Sequence, residues 1–494
     1  MWSSRSPESA AGRRLRVLMI TEGTYPYAMG GVSSWCDYLV RGLPEIDWEV
    51  LPIVGAGLGN NSAMKVPANV KVKKPVELWS EGLPGWRWRR HGEPGLRLDL
   101  PNVLVRGLLC WDGDHDELTQ ALVWCQRRPH RVRNVFRNRG GWELFLEGLR
   151  EVLDERTPDA GPAPELDTYE AATLYQILYW VARAAAEPVP ATDIVHVTAA
   201  GWAGLPATVQ KALHGTPVVL TEHGVYLRES YLAAVRSPAS PGERFISTRL
   251  ARGLARSAYE TADVISPVTD ANASWEVGLG VDVGKIHVIR NGVDKPPEPT
   301  PAPNSRTVVA VGRVDPLKDV HTMLRVAGEV IARMPDATFR YFGPVTQGEE
   351  AYGRSCHELH ARLGLGDRFQ FMGPTPDPNG VIRDADLVLM TSISEGLPMA
   401  LLEAMSQARP VVSTGVGGVP EVVRGCGMVA APGDTHALAQ SVLTLLRNPQ
   451  LASELGMRGH GRVQRTFARS ASLTGYRELF ERVAPTAQAQ ARAA

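Results

Sequence analysis

The 494-residue chain is too long for a single hydrophobic core, so two or three domains are expected. Its 44% content of hydrophobic residues is that of an ordinary globular protein, and 53 basic residues balance 53 acidic ones. This balance excludes a net field that would draw the protein to nucleic acid or anionic lipid.

The cysteines and the first residues of the chain indicate where the protein is located and which kinds of framework it lacks. The five cysteines are scattered and form no CxxC pair, which favours reduced thiols over a disulfide or zinc framework. Residues 1–14 lack the apolar core of a signal peptide and are expected to form a disordered tail. Because no run of 18 or more apolar residues occurs, no transmembrane segment is expected. These features predict a soluble, cytoplasmic protein.

The first part of the chain has the pattern of an α/β sheet. Residues 16–20 form a continuous apolar run, typical of a buried parallel strand, and a helix is expected over residues 32–42. Gly30 and Gly31 lie between them, where backbone N–H groups can approach a ligand closely at a helix start. A tight strand-to-helix turn is the competing interpretation. Further strands are expected over residues 48–54, 193–197, 217–224, 262–268 and 286–294.

A glycine-rich stretch, residues 55–61, resembles a dinucleotide-binding fingerprint. Asn60 replaces the final glycine and no helix follows at once, so a nicotinamide cofactor is not expected. His223 lies at the carboxyl end of the strand predicted over residues 217–224, a position where polar side chains meet substrate in such sheets. A satisfied core histidine is the alternative.

Residues 75–190 have a weaker pattern and are interpreted as an insertion that caps the first domain. Residues 79–90 mix Trp and Arg, and residues 126–139 are rich in Arg and His. Aromatic and cationic side chains together can receive a polymer, a membrane surface or a partner protein. A solvated, partly packed loop is the favoured interpretation. A helix is expected over residues 170–186.

A proline-rich stretch, residues 295–304, predicts a semi-rigid linker and a domain boundary. A second α/β unit follows it. Arg313 and Lys318 come after its first strand, where their charges can neutralise a diphosphate beside the N–H groups of a helix start. Strands are expected here over residues 338–343, 369–373 and 386–390, and the stretches 307–319 and 411–421 are each expected to form a strand, a loop and the start of a helix. Helices are also expected over residues 399–407, 434–447, 453–467 and 470–483.

The most informative stretch is residues 391–405. Glu395 precedes a helix that is expected to include Pro398 in its first turn, and Glu403 lies about one and a half turns into that helix. Strand–loop–helix junctions of open α/β sheets bind ligands, and carboxylates there can accept hydrogen bonds from sugar or ribose hydroxyls. The competing interpretation is a helix-start glutamate and an exposed helical glutamate.

Together these motifs resemble the retaining glycosyltransferases of the GT-B type in glycosyltransferase family 4, the superfamily of glycogen and sucrose-type synthases. The resemblance covers nearly the whole chain. Its most specific parts are the Glu395-to-Glu403 spacing in SEGLPMALLEA, Gly312-Arg313 with Lys318-Asp319, residues 291–294, and residues 417–421. More narrowly, residues 22–35 and 221–224 resemble the family of the glucosyltransferase subunit (PelF) of the Pel exopolysaccharide machinery.

The resemblance implies an α/β fold of the GT-B class, with two Rossmann-like doubly wound domains facing across a cleft and an insertion in the N-terminal one. The implied organisation is a disordered tail (1–14), an N-terminal acceptor domain (15–295, insertion about 75–190), a linker (296–304), a nucleotide-sugar domain (305–467), and a C-terminal helix with a frayed tail that returns to the first domain (468–494).

The implied activity is a retaining, metal-independent hexosyl transfer from a nucleotide sugar, UDP-glucose by default, to a polysaccharide or other hydroxyl acceptor. No cofactor is implied. The donor and a carbohydrate acceptor are the implied partners, with no nucleic acid, and the 75–190 insertion is a candidate contact for a membrane-complex partner.

The resemblance also assigns roles to individual residues. Glu403 holds the ribose hydroxyls, and Arg313 and Lys318 hold the diphosphate. His223 lines the sugar at the reacting carbon. The other implied donor contacts are Glu395, Gly396, Leu397 and Pro398 for the sugar, Gly30 and Gly31 for the phosphate and donor, and Phe371 and Met372 for the base.

Two other functions share parts of the pattern. A nucleotide-sugar epimerase of the same fold is one, but the Glu395–Glu403 pattern does not support it. A catalytically silent nucleotide-sugar-binding subunit of an exopolysaccharide assembly complex is the other. The presence of Arg313, Lys318, Glu395 and Glu403 argues against a silent subunit.

Overall fold

The computed structural model describes residues 14–23, 25–28, 30–55, 64–79, 95–156, 162–294, 297–346 and 348–484. The chain divides into two compact units. Unit 1 comprises residues 1–267, 276–287 and 476–494, and unit 2 comprises residues 268–275 and 288–475. The N-terminal tail up to residue 13, most of the glycine-rich stretch, the Trp/Arg stretch beyond Trp79 and the tail from residue 485 lie outside the described residues.

Among the described residues, unit 1 contains a parallel sheet of seven strands. The strands are β1 (Arg16–Glu22), β2 (Asp47–Val54), β3 (Val70–Val72), β4 (Val76–Glu77), β5 (Ile194–Val197), β6 (Val218–Glu222) and β7 (Val264–Pro267). Their order is β3-β2-β1-β5-β6-β7, and β4 pairs with β2. The order reverses at β1, which lies between β2 and β5. In doubly wound sheets, ligands bind outside the carboxyl ends of the strands at such a point.

The helices of unit 1 share one apolar core with this sheet. They are α1 (Gly31–Gly42), α2 (Leu100–Leu109), α3 (His115–Arg127), α4 (Pro129–Phe136), α5 (Arg139–Asp154), α6 (Thr168–Ala186), α7 (Gly204–His214), α8 (Tyr226–Arg236) and α9 (Pro241–Thr261). Leu104, Phe145 and Leu178, from three of the helices between β4 and β5, belong to the same buried cluster as Ile20 of β1. The described residues between 75 and 190 are therefore mainly helical, and their helices are part of the core of unit 1.

The prediction of a loop over residues 126–139 is wrong. Helix α3 ends at Arg127 and α4 occupies Pro129–Phe136. Val132, Val135 and Phe136 are buried in the core, and cations such as Arg133 are exposed. The apolar side of a short amphipathic helix was hidden in the sequence by its dense basic face.

Helix starts in unit 1 carry the expected local signals. The Asp167 carboxylate accepts a hydrogen bond from the backbone N–H of Glu170 (2.7 Å), and Glu170 accepts one from the backbone N–H of Asp167 (2.9 Å). Ser240 and Glu243 form the same reciprocal arrangement before α9. Such capping boxes satisfy N–H groups that have no partner within the helix, and an N-cap side chain contributes about 1 kcal/mol.

The last helix completes the core of unit 1. Helix α18 (Arg469–Val483) buries Tyr476 and Phe480 almost completely. The Tyr476 hydroxyl lies 3.1 Å from the Thr221 hydroxyl at the end of β6, and the Phe480 ring packs 5.8 Å from that of Trp48 on β2. Residues distant in sequence therefore form one apolar layer.

Among the described residues, unit 2 contains a six-stranded parallel sheet of order β10-β9-β8-β11-β12-β13. The strands are β8 (Thr307–Val311), β9 (Thr338–Phe342), β10 (Phe369–Gly373), β11 (Leu387–Met390), β12 (Val411–Thr414) and β13 (Gly427–Ala430). The helices are α11 (Val320–Arg333), α12 (Glu350–Arg362), α13 (Pro378–Arg383), α14 (Met399–Ser406), α15 (Val419–Val422), α16 (Thr435–Arg447) and α17 (Pro449–Thr466), and α10 (Asp270–Gly278) begins in this unit. The order reverses between β8 and β11.

The strand expected over residues 286–294 does not form. Ile286 makes an isolated bridge with Ile265, and Val293 makes one with Ala468. Because the two ends of the segment pair with different partners, no continuous ladder is possible.

The described linker residues form neither helix nor strand, and part of the linker is bound to unit 2. The guanidinium of Arg409, which is 2% exposed, donates to the carbonyls of Thr300 (2.9 Å), Pro301 (3.2 Å) and Arg383 (2.7 Å). The linker is thus held in unit 2 from Thr300 onwards.

Candidate functional site

The loop after β8 carries Arg313, and hydrogen bonds to Asp315 order this loop. The buried carboxylate of Asp315 accepts hydrogen bonds from the backbone N–H groups of Leu317 (3.0 Å) and Lys318 (3.2 Å). The same side chain lies 3.3 Å from the guanidinium of Arg313, whose side chain is 57% exposed. Asp315 therefore orders the loop and restrains Arg313 while leaving its donors accessible.

Lys318 and Glu395 join the loops after β8 and β11. The Lys318 ammonium lies 2.6 Å from the Glu395 carboxylate, and both side chains are largely buried. The Thr391 hydroxyl donates to the Lys318 carbonyl at 3.0 Å, and the Ile393 N–H donates to the Leu317 carbonyl at 2.8 Å. Two of the residues predicted for the site are thus in direct contact, in the loops that follow the two strands between which the order of the sheet reverses.

The glycine-rich loop after β12 supports the backbone of Glu395. Gly417 has a φ of +51°, and a Cβ there would lie 1.7 Å from the Glu395 carbonyl oxygen. The N–H of Gly418 donates to the Gly396 carbonyl at 3.0 Å. A side chain at Gly417 is excluded both by its left-handed backbone and by this close approach.

Helix α14 starts directly behind Glu395. Pro398 immediately precedes the first helical residue, Met399, so it lies one position earlier than the sequence predicts. Among the described residues no side chain caps this helix. Its first N–H groups lack the partners that caps provide, which leaves them available to an anion or a hydroxyl. Gly396 and Leu397 form the connection, and the Leu397 side chain is buried.

Glu403, one turn into α14, is a mostly buried carboxyl group. The carboxyl group itself makes no hydrogen bond or ion pair with any residue in the part of the chain that the structure describes. Burial raises its pKa from an ordinary value of 4.5 to about 7. Burying a carboxylate without a hydrogen-bond partner lowers the stability of the folded protein, and a ligand that donates hydrogen bonds to it would offset this loss.

Phe371 and Met372 are adjacent on β10, whose pairing with β9 is irregular at this point, and they differ in exposure. The Phe371 ring packs 4.5 Å from the ring of His357 on α12, whereas the Met372 side chain is 46% exposed. The Gly373 carbonyl accepts a hydrogen bond from Gly343, and a Cβ at Gly343 would lie 1.8 Å from the Gly312 carbonyl oxygen. The end of β10 is therefore connected through the loop after β9 to the start of the Arg313 loop.

The three candidates in unit 1 lie at the carboxyl edge of its own sheet. Helix α1 begins at Gly31, and a Cβ at Gly30 or Gly31 would meet no atom of the described residues within 4 Å. The His223 ring packs 4.4 Å from that of Trp35 on α1, and burial lowers its pKa to about 3. The imidazole is therefore neutral near pH 7.

Two buried carboxyl groups of unit 1 received no role from the sequence. Glu222 accepts hydrogen bonds from the Tyr226 N–H (2.8 Å) and the Tyr259 hydroxyl (2.9 Å). Burial and the charge of Glu222 raise the pKa of the neighbouring Glu276 well above its ordinary value. Glu222 lies within the motif at residues 221–224, but no sequence signal connects it to Glu276, 54 positions later.

Two features are absent from the described residues. Among them, no group of three or more His, Cys, Asp or Glu side chains is arranged to hold a metal ion. No helix in the same part of the chain has both the length and the apolar character needed to cross a bilayer.

Two family models match the chain. Residues 15–283 match the model described as "Domain of unknown function (DUF3492)", and residues 305–448 match the model described as "Glycosyl transferases group 1". The second match contains the loops of Arg313 and Glu395 together with helix α14.

Curated relatives match over part of the chain. D-inositol 3-phosphate glycosyltransferase 2 of Catenulispora acidiphila is 27% identical over 276 residues, which are 52% of this chain and 62% of that protein. D-inositol 3-phosphate glycosyltransferase of Frankia alni is 28% identical over 330 residues, which are 62% of this chain and 79% of that protein. The chain spans 62%, 54% and 55% of the length of three such relatives, less than two thirds of each.

Solved structures match over nearly the whole chain. The crystal structure of Anabaena HepE in complex with UDP and glucose has a TM-score of 0.60 at 16% identity, covering 94% of this chain and 99% of that chain. Sucrose-phosphate synthase from Thermosynechococcus elongatus has a TM-score of 0.60 at 16% identity, covering 95% and 99%. The expected fold class, two Rossmann-like doubly wound α/β domains of the GT-B type, is confirmed.

Proposed function

We propose that this chain, which belongs to the DUF3492 family and carries a group 1 glycosyltransferase domain over residues 305–448, is a retaining hexosyltransferase. It moves a sugar, glucose by default, from a UDP-linked donor to a hydroxyl of a polysaccharide or other acceptor. The observation that carries the proposal is the Lys318–Glu395 contact. It joins the two loops at the point where the sheet of unit 2 reverses its order.

The donor diphosphate is bound by cations and backbone in this proposal. Arg313 is restrained by Asp315 and exposed, and Lys318 lies in the adjoining loop. The uncapped start of α14 adds N–H groups to these two cations. These groups stabilise negative charge on the leaving diphosphate, the role that a divalent cation fills in metal-dependent transferases.

The sugar and the ribose are bound by the two glutamates. The Glu395 carboxylate, oriented by Lys318, accepts hydrogen bonds from sugar hydroxyls, with the backbone of Gly396, Leu397 and Pro398 beside it. The carboxylate of Glu403 accepts the ribose hydroxyls. Its burial and its lack of a partner among the described residues support this role. Met372 and the backbone of Phe371 are proposed to lie near the base.

The chemical step needs no protein nucleophile. The bond between the anomeric carbon and the diphosphate oxygen breaks, and its electron pair leaves with the diphosphate. The acceptor oxygen bonds to the anomeric carbon on the same face, and its proton passes to an oxygen of the leaving diphosphate, so the configuration is retained. For Gly30, Gly31 and His223, contact with the phosphate and with the sugar at the reacting carbon remains a prediction.

The acceptor is proposed to be an exopolysaccharide. This proposal depends on the resemblance of residues 22–35 and 221–224 to the PelF family. UDP-glucose is the first donor to test because HepE was crystallised with UDP and glucose. D-inositol 3-phosphate is included as an acceptor because it appears in the names of the curated relatives.

The test follows nucleotide release from UDP-glucose and a panel of other nucleotide sugars, with and without acceptors. Arg313→Ala and Glu403→Ala are compared with Arg447→Ala and Glu358→Ala, two exposed positions of unit 2 that serve as matched controls. We expect wild type and controls to release nucleotide and both site variants to lose most of this activity while keeping their fold. Turnover that survives in both site variants would refute the assignment of the site.

A further inference from the structure

Three tryptophans of unit 1 form a cluster that the proposed chemistry does not use. The ring of Trp79 lies 4.4 Å from that of Trp180 on α6, at an interplanar angle of 78°. It lies 5.4 Å from the ring of Trp202, at 86°. Trp202 is 7% exposed, whereas Trp79 is 43% exposed. One buried and one partly buried indole thus pack against an indole that is open to solvent.

The cluster lies at the ligand-binding edge of the sheet. Trp79 follows β4, which pairs with β2, and Trp202 follows β5, which pairs with β1. All of these strands are parallel, so their carboxyl ends share one edge with the loop of Gly30 and Gly31 after β1. Pockets of α/β proteins form along this edge.

The backbone holds the exposed indole in place. Trp79 has a φ of +64°, a left-handed conformation that is an outlier for a bulky side chain. Such strain persists where the surrounding structure determines the position, and it is concentrated at ligand-binding sites. The loop of Trp202 is anchored as well, because the Glu22 carboxylate accepts a hydrogen bond from the Ala203 N–H at 3.3 Å.

We propose that the Trp79–Trp180–Trp202 cluster is a binding subsite for a hexopyranose unit of the carbohydrate acceptor. A flat indole face complements the C–H face of a pyranose ring, and a rigid aromatic surface provides contact area at a low entropic cost. The proposed function places the donor base at the sheet edge of unit 2. The substrate left to pack against these indole rings is therefore a saccharide. That this saccharide is an acceptor rests on the proposed function.

The first experiment measures binding without turnover. Neutral gluco-, galacto- and N-acetylhexosamine oligosaccharides are titrated calorimetrically into wild type, Trp79→Ala, Trp79→Phe and Trp275→Ala. Trp275 is 45% exposed on α10 and serves as the matched control for the loss of an exposed indole. We expect one oligosaccharide class to bind wild type and Trp275→Ala equally, Trp79→Ala about tenfold more weakly, and Trp79→Phe in between. Circular dichroism and Tm report whether each variant is folded.

The second experiment separates this subsite from the enzymatic activity. In Trp79→Ala, the KM for the acceptor should rise about tenfold while the KM for the donor is unchanged. Saccharide binding that Trp79→Ala weakens, without turnover of any nucleotide sugar, would support the subsite and overturn the glycosyltransferase. Turnover with an unchanged acceptor KM, or no binding of any oligosaccharide to wild type, would overturn the subsite.

Discussion

Replacing Glu403 by glutamine should stabilise the free protein and weaken donor binding at the same time. Glutamine has nearly the shape of glutamate and, like the protonated carboxyl group, carries no charge. Because burial raises the pKa of Glu403 from 4.5 to about 7, the folded protein stabilises the protonated form. This stabilisation is complete below pH 4.5 and is lost as the pH rises through about 7.

The size of the effect follows from the same pKa. The rise of this pKa from 4.5 to about 7 corresponds to at most about 3 to 4 kcal/mol, at about 1.36 kcal/mol per pKa unit. Partial exposure of the side chain reduces this value. Glu403→Gln should therefore raise Tm at pH 8 by on the order of 5 °C and leave it unchanged near pH 4.5.

Donor binding should have the opposite dependence on pH. If the carboxylate accepts the ribose hydroxyls, the affinity of wild type for UDP-glucose increases with pH through about 7. Between pH 6 and pH 8 the Kd should fall about tenfold, since protonation competes with the ligand. Glu403→Gln should bind about tenfold more weakly than wild type at pH 8, with no dependence on pH in this range.

The assay combines thermal unfolding without ligand and calorimetric titration of UDP-glucose at pH 6, 7 and 8. The sugar nucleotide is preferred to UDP because its diphosphate does not change protonation over this range. Glu358→Gln, at an exposed position of α12, should behave as wild type in both measurements. A lower Tm for Glu403→Gln at pH 8, or a Kd of wild type that is independent of pH, would refute the reasoning.

Three further predictions concern the scaffold of the site. Lys318→Met removes the ammonium group that lies 2.6 Å from the Glu395 carboxylate, so Tm should fall by the equivalent of about 1–3 kcal/mol and turnover should be lost. Adding Glu395→Gln should restore Tm but not turnover, and unchanged turnover in the single variant would contradict the proposed role. Gly417→Ala should lower donor affinity and Tm because its Cβ would lie 1.7 Å from the Glu395 carbonyl oxygen. Gly425→Ala is the control, since Gly425 has a φ of +72° and a Cβ there would meet no atom of the described residues within 4 Å. This control should lose about 1 kcal/mol of stability through backbone strain and keep the wild-type donor affinity. Arg409→Ala should lower Tm by leaving the carbonyls of Thr300 and Pro301 without their donor, while kcat per folded molecule stays at the wild-type value; a large fall in kcat would show that this clamp also affects the site.

The fold was predictable where a local pattern determines the structure. Strands such as β1 and β8 are buried on both faces, so an unbroken apolar run identifies them without knowledge of their neighbours. Strands β3 and β4, of three and two residues, depend on pairing with β2 and carry no such signal. Helix α4 was missed because three buried side chains are set among many cations. The strand expected over residues 286–294 does not form because its two ends make isolated bridges with different partners, Ile265 and Ala468.

The sequence predicts the parts of the site that depend on local spacing, and it does not predict the contacts between separate loops. The spacing of Glu395 and Glu403 places one carboxylate before a helix and one inside it, and the structure agrees with both placements. The contact between Lys318 and Glu395 joins two loops whose relative position depends on the reversal of strand order. Asp315, which orders the first of these loops, has no distinguishing sequence feature. Its role becomes visible through the two N–H groups that it accepts.

The return of helix α18 to unit 1 has a consequence for how the protein is made. Tyr476 and Phe480 fill a layer against Trp48 and Thr221, yet they are translated more than 200 residues after the last of these partners. A nascent chain therefore carries an unfilled apolar surface on its N-terminal unit throughout synthesis of the C-terminal one. Unit 2 is continuous over residues 288–475 and can close its own core earlier. The N-terminal unit, although synthesised first, cannot complete this layer of its core until residues 476–480 have been made.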